Sequence, residues 1–172
     1  NEDPFNKFYL LFKVHKQPLK TRPIVSCSGS LLHALGIWVD SQLQKVAQVQ
    51  PAFFKSTFDL KKILISTRLP RRARLFTSDA TSMYTNINTE HAIDSIFKWF
   101  LMHNHEIPRN FPTSHVLIAI GIIMKENVFQ FGNKFFLQKN STAMGTSCAC
   151  KYTTISTIFP AKEHELAHRR MF

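Results

Sequence analysis

Two apolar periodicities alternate along this chain, and they constrain its fold more than any other feature. Over residues 8–15 apolar side chains recur at every second position: Phe8, Leu10, Phe12 and Val14 share one face, Lys13 and His15 the other. A period of two belongs to a β-strand. Residues 22–27 read as a second strand, and Lys16-Gln17-Pro18-Leu19-Lys20 between them is a basic loop around a Pro breaker. The pair predicts a hairpin with a cationic tip. Elsewhere the period changes. Ile93, Ile96, Phe97, Phe100 and Leu101 fall at i, i+3, i+4, i+7 and i+8, the spacing of one helical face. Further helices are predicted over 31–48, with Ser30 as N-cap, over 57–66 and over 113–125. Residues 128–131 and 134–137 flank Gly132-Asn133, a hairpin signal. A short strand over 73–78 runs out at Asp79, and a last helical stretch follows the Ser/Thr/Gly-rich segment 141–147. Hairpins interspersed with helices, without internal repeats, predict an α+β fold. Leu69-Pro70-Arg71-Arg72 marks a boundary between two lobes, 1–70 and 71–172.

Charge narrows the partner. The 22 Lys and Arg outnumber 11 acidic residues, for a net +11. They cluster, as Lys13, Lys16, Lys20 and Arg22, and again as Arg68, Arg71, Arg72 and Arg74. Clustered cations favour a polyanion through counterion release. No run of ~20 apolar residues exists to cross a membrane, and the longest apolar run, 116–124, reads as a buried helix. Three cysteines, Cys27, Cys148 and Cys150, make neither a disulfide framework nor a zinc knuckle, and they point to an intracellular setting. The chain opens on Asn1-Glu2-Asp3-Pro4, which is no secretory leader, and stops at Met171-Phe172, which reads as a segment of something longer.

Asp79 is the first candidate for chemistry. At a strand end it reads either as a turn or helix cap or as a ligand for a hard cation, which prefers carboxylate and phosphate oxygens. Two-metal phosphoryl transfer needs more than one carboxylate, and no Asp-Asp pair follows it. On residue chemistry alone, Asp79 is half a site.

Four segments resemble one family. Asp79 with Tyr84-Thr85-Asn86-Ile87 resembles the first catalytic motif of reverse transcriptases, in the form typical of Penelope-like retroelements. Ala143-Met144-Gly145 resembles their second palm motif. Lys13-Val14-His15-Lys16 and Arg22-Pro23-Ile24-Val25-Ser26 resemble their fingers motifs. The resemblance implies a right-hand polymerase fragment, with fingers over 1–70 and a partial palm over 71–172. It implies an RNA-directed DNA polymerase that takes an RNA template, a DNA primer and dNTPs, with Mg2+ or Mn2+, in the nucleus. Asp79 would bind the metal with the Ala80 carbonyl, and Tyr84 would exclude a 2′-hydroxyl. Lys13 and Arg22 would clamp the triphosphate; Met144 and Gly145 would lie beside the templating base pair. One departure is large: the aromatic-x-Asp-Asp motif that supplies the family's remaining carboxylates is absent, as is a thumb. This polypeptide alone is therefore expected not to polymerise DNA. A non-catalytic, basic nucleic-acid-binding module is the alternative that charge alone supports.

A second motif competes. His164-Glu165-Leu166-Ala167-His168 fits H-E-x-x-H, which on a helix aligns two zinc ligands and a general base. It lacks an evident third ligand, and Met171 stands where the extended pattern has Gly. A zinc peptidase is the remote reading. His103 and His105 lie near a helix end, where positive charge suits the dipole.

Overall fold

The computed structural model describes residues 4–50, 53–74, 77 and 80–157. The fold is α+β. Strand β1 (Asn6–Lys13) and strand β2 (Lys20–Ser26) form the first hairpin, with Lys13 opposite Lys20 and Phe8 opposite Val25. Helices α1 (His33–Gln48) and α2 (Thr57–Ser66) follow, then the short α3 (Met83–Asn86) and α4 (Thr89–Met102). A 3-10 turn (Asn104–Glu106) leads to α5 (Thr113–Lys125) and the second hairpin, β3 (Val128–Phe131) and β4 (Lys134–Leu137). Residues 149–157 are helical and are called α6. The strands make one mixed sheet in the order β2-β1-β3-β4, in which β1 and β3 run parallel through Asn6–Phe129 and Lys7–Gln130.

The core is helical. Val39, Leu43 and Val46 of α1 meet Ala92, Ile96 and Trp99 of α4, Val116, Ile120 and Ile123 of α5, and Cys148, Tyr152 and Ile155. Each set recurs at i, i+4, i+7, so each helix offers one apolar stripe. A half-buried ion pair, Lys151 to Asp40 at 2.7 Å, ties α6 to α1. At the base of the sheet a buried amide chain runs from the Asn6 Nδ2 donor to Asn127, and from Asn127 Nδ2 to Gln138 Oε1 at 2.7 Å. This core joins elements from both sides of positions 69–72.

Several expectations shift. The first hairpin is present, but β1 ends at Lys13, leaving Val14 and His15 in the loop, and β2 begins two residues early. Ser30 does not cap α1. Its hydroxyl donates to the Cys27 carbonyl at 2.8 Å, a further turn intervenes, and the helix starts at His33 with Leu32 as an N-cap that makes no side-chain bond. Half of the expected strand over 73–78 lies outside the described residues. Ala73, Arg74 and Thr77 are not in a strand; the Ala73 N–H closes a turn onto Pro70 at 2.9 Å. In α4 the buried stripe is Ala92, Ile96, Trp99 and Phe100, with Phe97 and Leu101 exposed. The α2 bounds are as predicted, with Ser56 as the cap that accepts from the Asp59 N–H. In the second hairpin Gly132 takes φ +60, the left-handed conformation that favours glycine.

Leu43 is fully buried in this core. Leu43→Ala is expected to lower unfolding free energy by about 3 kcal/mol, the usual cost of such a cavity, read as a shift in the urea midpoint with unchanged slope.

Candidate functional site

The site is built on the free edge of β2. Pro23 has no N–H to donate, so an edge strand suits it. Two residues on, the Val25 N–H donates outward to the Met144 carbonyl at 3.2 Å. That bond brings the 144–147 segment against β2. Gly145, at φ +141, makes the approach possible: a Cβ there would lie 2.4 Å from the Val25 carbonyl oxygen. The close approach that this glycine permits is thus to the backbone of β2. The Cys27 thiol and the Thr146 hydroxyl lie 3.1 Å apart and fasten the next residues.

The same segment holds α3. The Thr142 N–H donates to the Tyr84 carbonyl at 2.8 Å, the Ser141 N–H to Ile87 at 3.2 Å, and the Ser141 hydroxyl to Thr85 at 2.8 Å. Ser82 starts α3 from a left-handed conformation, φ 50, and the Asn86 side chain donates back to the Thr81 carbonyl at 3.1 Å. Residues 21–26, 80–87 and 141–147 therefore meet at one place.

Between them opens a cleft of about 800 Å³. Lys13, Lys20, Arg22 and Ile24 line one wall, alternate residues of the hairpin face opposite to Phe8 and Phe12. Lys16 adds a cation from the loop. Ala80 and Tyr84 line a second wall, and Met144, Gly145 and Cys150 complete it. The structure so brings together Lys13, Arg22, Ala80, Tyr84, Met144 and Gly145, six positions singled out from sequence. Asp79 lies outside the described residues, as do His164, Glu165 and His168. Lys16, Lys20 and Cys150 are lining residues that the sequence reading did not assign to a site. The two lysines carried a signal, their clustering in sequence with Lys13 and Arg22; Cys150 carried none.

Electrostatics set the character of the cleft. Four cations line it with no Asp or Glu among the described residues, and none of the four has an ion-pair partner there. Lys13 and Lys20 are direct cross-strand partners, and like charges so placed destabilise a hairpin unless an anion sits between them. Burial pushes the Tyr84 phenol above its usual value, the adjoining Cys150 thiol adds to this, and the Arg22 guanidinium opposes it. Burial also raises Cys27, against the Thr146 hydrogen bond, and pushes Cys148 up to about 12.

No group of three or more His, Cys, Asp or Glu that could hold a metal occurs among the described residues. His103 caps α4 and stacks on Trp99 at 4.7 Å, with Nδ1 3.1 Å from the Trp99 carbonyl oxygen; His105 faces Glu106 at 3.6 Å. Among the described residues no helix is long and apolar enough to cross a membrane. All three cysteines are free. No protein-family model, curated protein or solved structure matches the chain.

The thiols give a direct check. Cys150 is exposed, whereas Cys27 and Cys148 are buried. Burial keeps Cys148 protonated at about pH 8. One thiol is expected to react fast with an aromatic disulfide reagent, and the other two only on unfolding. An unfolded thiol ionises near its ordinary 9.0, while the folded Cys148 holds its proton to about 12. Its contribution to stability is therefore full below pH 9 and declines as pH rises from 9 towards 12, which alkaline urea titrations would register.

Proposed function

We propose that this chain is the fingers, 1–70, and the first part of the palm, 71–172, of an RNA-directed DNA polymerase, and that the cleft takes the incoming nucleotide. One observation carries the reading. Four segments, around Lys13 and Arg22 on one hairpin and around Tyr84 and Met144 far from it in sequence, line a single cationic cleft. They are the four segments that resemble reverse-transcriptase motifs.

In this reading Lys13 and Arg22 bind the triphosphate, Arg22 through its planar fork. Lys16 and Lys20 add charge to the same wall. The Tyr84 ring closes the space beside the sugar, and its backbone is fixed by the Thr142 bond at 2.8 Å. Met144 presents its side chain to the base pair while its carbonyl remains tied to Val25. RNA template, DNA primer and dNTPs are the partners.

The described cleft residues do not by themselves fit a divalent ion, because they offer cations and no carboxylate. The reading assigns a metal to Asp79 and the Ala80 carbonyl, and the carboxylates of a second ion to residues other than these. The 172 residues contain no aromatic-x-Asp-Asp, so the chain alone binds without polymerising.

Calorimetric titration with a dNTP tests this. Arg22→Ala is expected to weaken binding about tenfold or more, the loss of one charge-assisted hydrogen bond. Tyr84→Ala is expected to erase the preference for dNTP over rNTP. In a chain carried through a third palm motif, Asp79→Asn is expected to abolish primer extension. If all anions bind alike and neither Arg22→Ala nor Tyr84→Ala changes nucleotide preference, the cleft serves a general basic module instead.

A further inference from the structure

The four-stranded sheet ends differently at its two edges. Edge β2 is a poor template for another strand. Pro23 lacks an N–H, Lys20 and Arg22 carry charge, and the Val25 N–H is taken by the Met144 carbonyl. Edge β4 has little such protection. It pairs with β3 residue for residue, without a bulge or a Pro, and after Lys134 it reads Phe135-Phe136-Leu137. All three are exposed, by 55%, 43% and 38%. An apolar, unbulged edge of this kind is a pairing surface.

The register shows which backbone groups are free. Phe131 and Lys134 close a two-residue turn, so they form a hydrogen-bonded pair, and the pattern alternates from there. Phe136 therefore turns its N–H and C=O towards Phe129, and its ring stacks on Phe129 at 5.7 Å. Phe135 and Leu137 turn theirs outward, where no backbone bond meets them among the described residues.

The charge pattern along β4 selects a second copy as the occupant. Take a two-fold axis through Phe136, with β4 antiparallel to β4 of the other copy. Phe135 then lies opposite Leu137 of the second copy, and the outward groups of each pair exchange both bonds. Phe136 lies opposite Phe136 of the second copy in a non-hydrogen-bonded pair, where side chains are closest. Lys134 meets Gln138 of the second copy, and Lys139 meets Asn133. Although the chain carries net +11, no lysine opposes a lysine along this seam. Symmetry closes the contact at two copies.

We propose that β4 is a homodimer interface, which joins two sheets edge to edge. One short strand from each copy buries less than the ~800 Å² per partner of a standard interface, so the dimer belongs to the weak, transient class. The cleft lies at the opposite edge of each sheet, on β1 and β2, and stays open in the dimer.

Sedimentation velocity of the full chain tests this, in about 0.15 M salt to screen the net charge. A monomer–dimer transition is expected between about 1 and 200 μM. Leu137→Pro removes an outward N–H and no bond to β3, and is expected to raise the dissociation constant about tenfold or more. Phe136→Glu and Phe136→Lys each place like charges across the axis and are expected to be monomeric alone. Mixed in equal amounts, they are expected to form a heterodimer, a result that a merely unfolded variant would not give. A chain that stays monomeric throughout the range overturns the proposal, as does a mixture that does not associate. A dimer that survives Leu137→Pro but dissociates on Ile118→Lys also overturns it, and places the interface on the apolar groove between α1 and α5, where Trp38, Ile118 and Ile122 meet.

Discussion

One backbone hydrogen bond, from Val25 to the Met144 carbonyl, organises the cleft. It works because Pro23 and Val25 lie on the free edge of β2 and because position 145 carries no side chain. A methyl group at 145 would meet the Val25 carbonyl at 2.4 Å, with backbone on both sides and nothing flexible to yield. Once 144–147 rests on β2, the rest follows along the chain. Ser141 and Thr142 hold α3 by its carbonyls, and Cys148 and Tyr152 continue into the helical core. The cleft wall is thus continuous with the best-packed part of the molecule on one side and with an exposed hairpin on the other.

That asymmetry explains where the charge is. The core accepts few polar groups, and its margin holds the compensated pair Lys151–Asp40. Among the described residues, the cations of the hairpin and of 55–74 form no ion pairs and sit where water or a ligand can reach them. Unpaired charges on two separate surfaces need not serve one ligand. The cleft is concave and walled by a tyrosine and a methionine, which suits a small polyphosphate.

Much of the fold was legible because local signals agreed with tertiary demands. Alternation over residues 8–15 and the Gly132-Asn133 turn pointed to both hairpins, whereas the Ser56 cap of α2 emerged only in the structure. Failures have local causes. Ser30 has a capping side chain, but its hydroxyl is used by Cys27. In α4 two adjacent stripes are equally apolar, so composition could not choose between Phe97 and Trp99; the position of α1 and α5 does. The parallel pairing of β1 with β3 rests on two residue pairs and left no pattern to read. For the cleft, spacing along the chain could not bring Arg22 to Met144. Likeness to known motifs put them in one list, and the Val25 hydrogen bond puts them in one place. Lys20 was visible as charge and became a lining residue only through its register with Lys13.

The hairpin and its ligand are coupled by the same register. Beyond residue 9, Leu10, Leu11 and Phe12 are exposed, so the outer half of β1 and β2 gains little from burial. It is held by ladder bonds, by the Val25 bond near its base, and against the repulsion of Lys13 and Lys20 at its end. An anion seated between those lysines turns a destabilising pair into a binding pair. By linkage, whatever binds the folded hairpin more tightly than a frayed one must order it. In the proposed reading, a nucleotide phosphate seated between the two lysines would hold the strand ends together. Gly145 provides one anchor for that hairpin, because its missing side chain lets β2 approach 144–147, while the β1–β3 pairing and the Asn6–Asn127 bond hold the other strand.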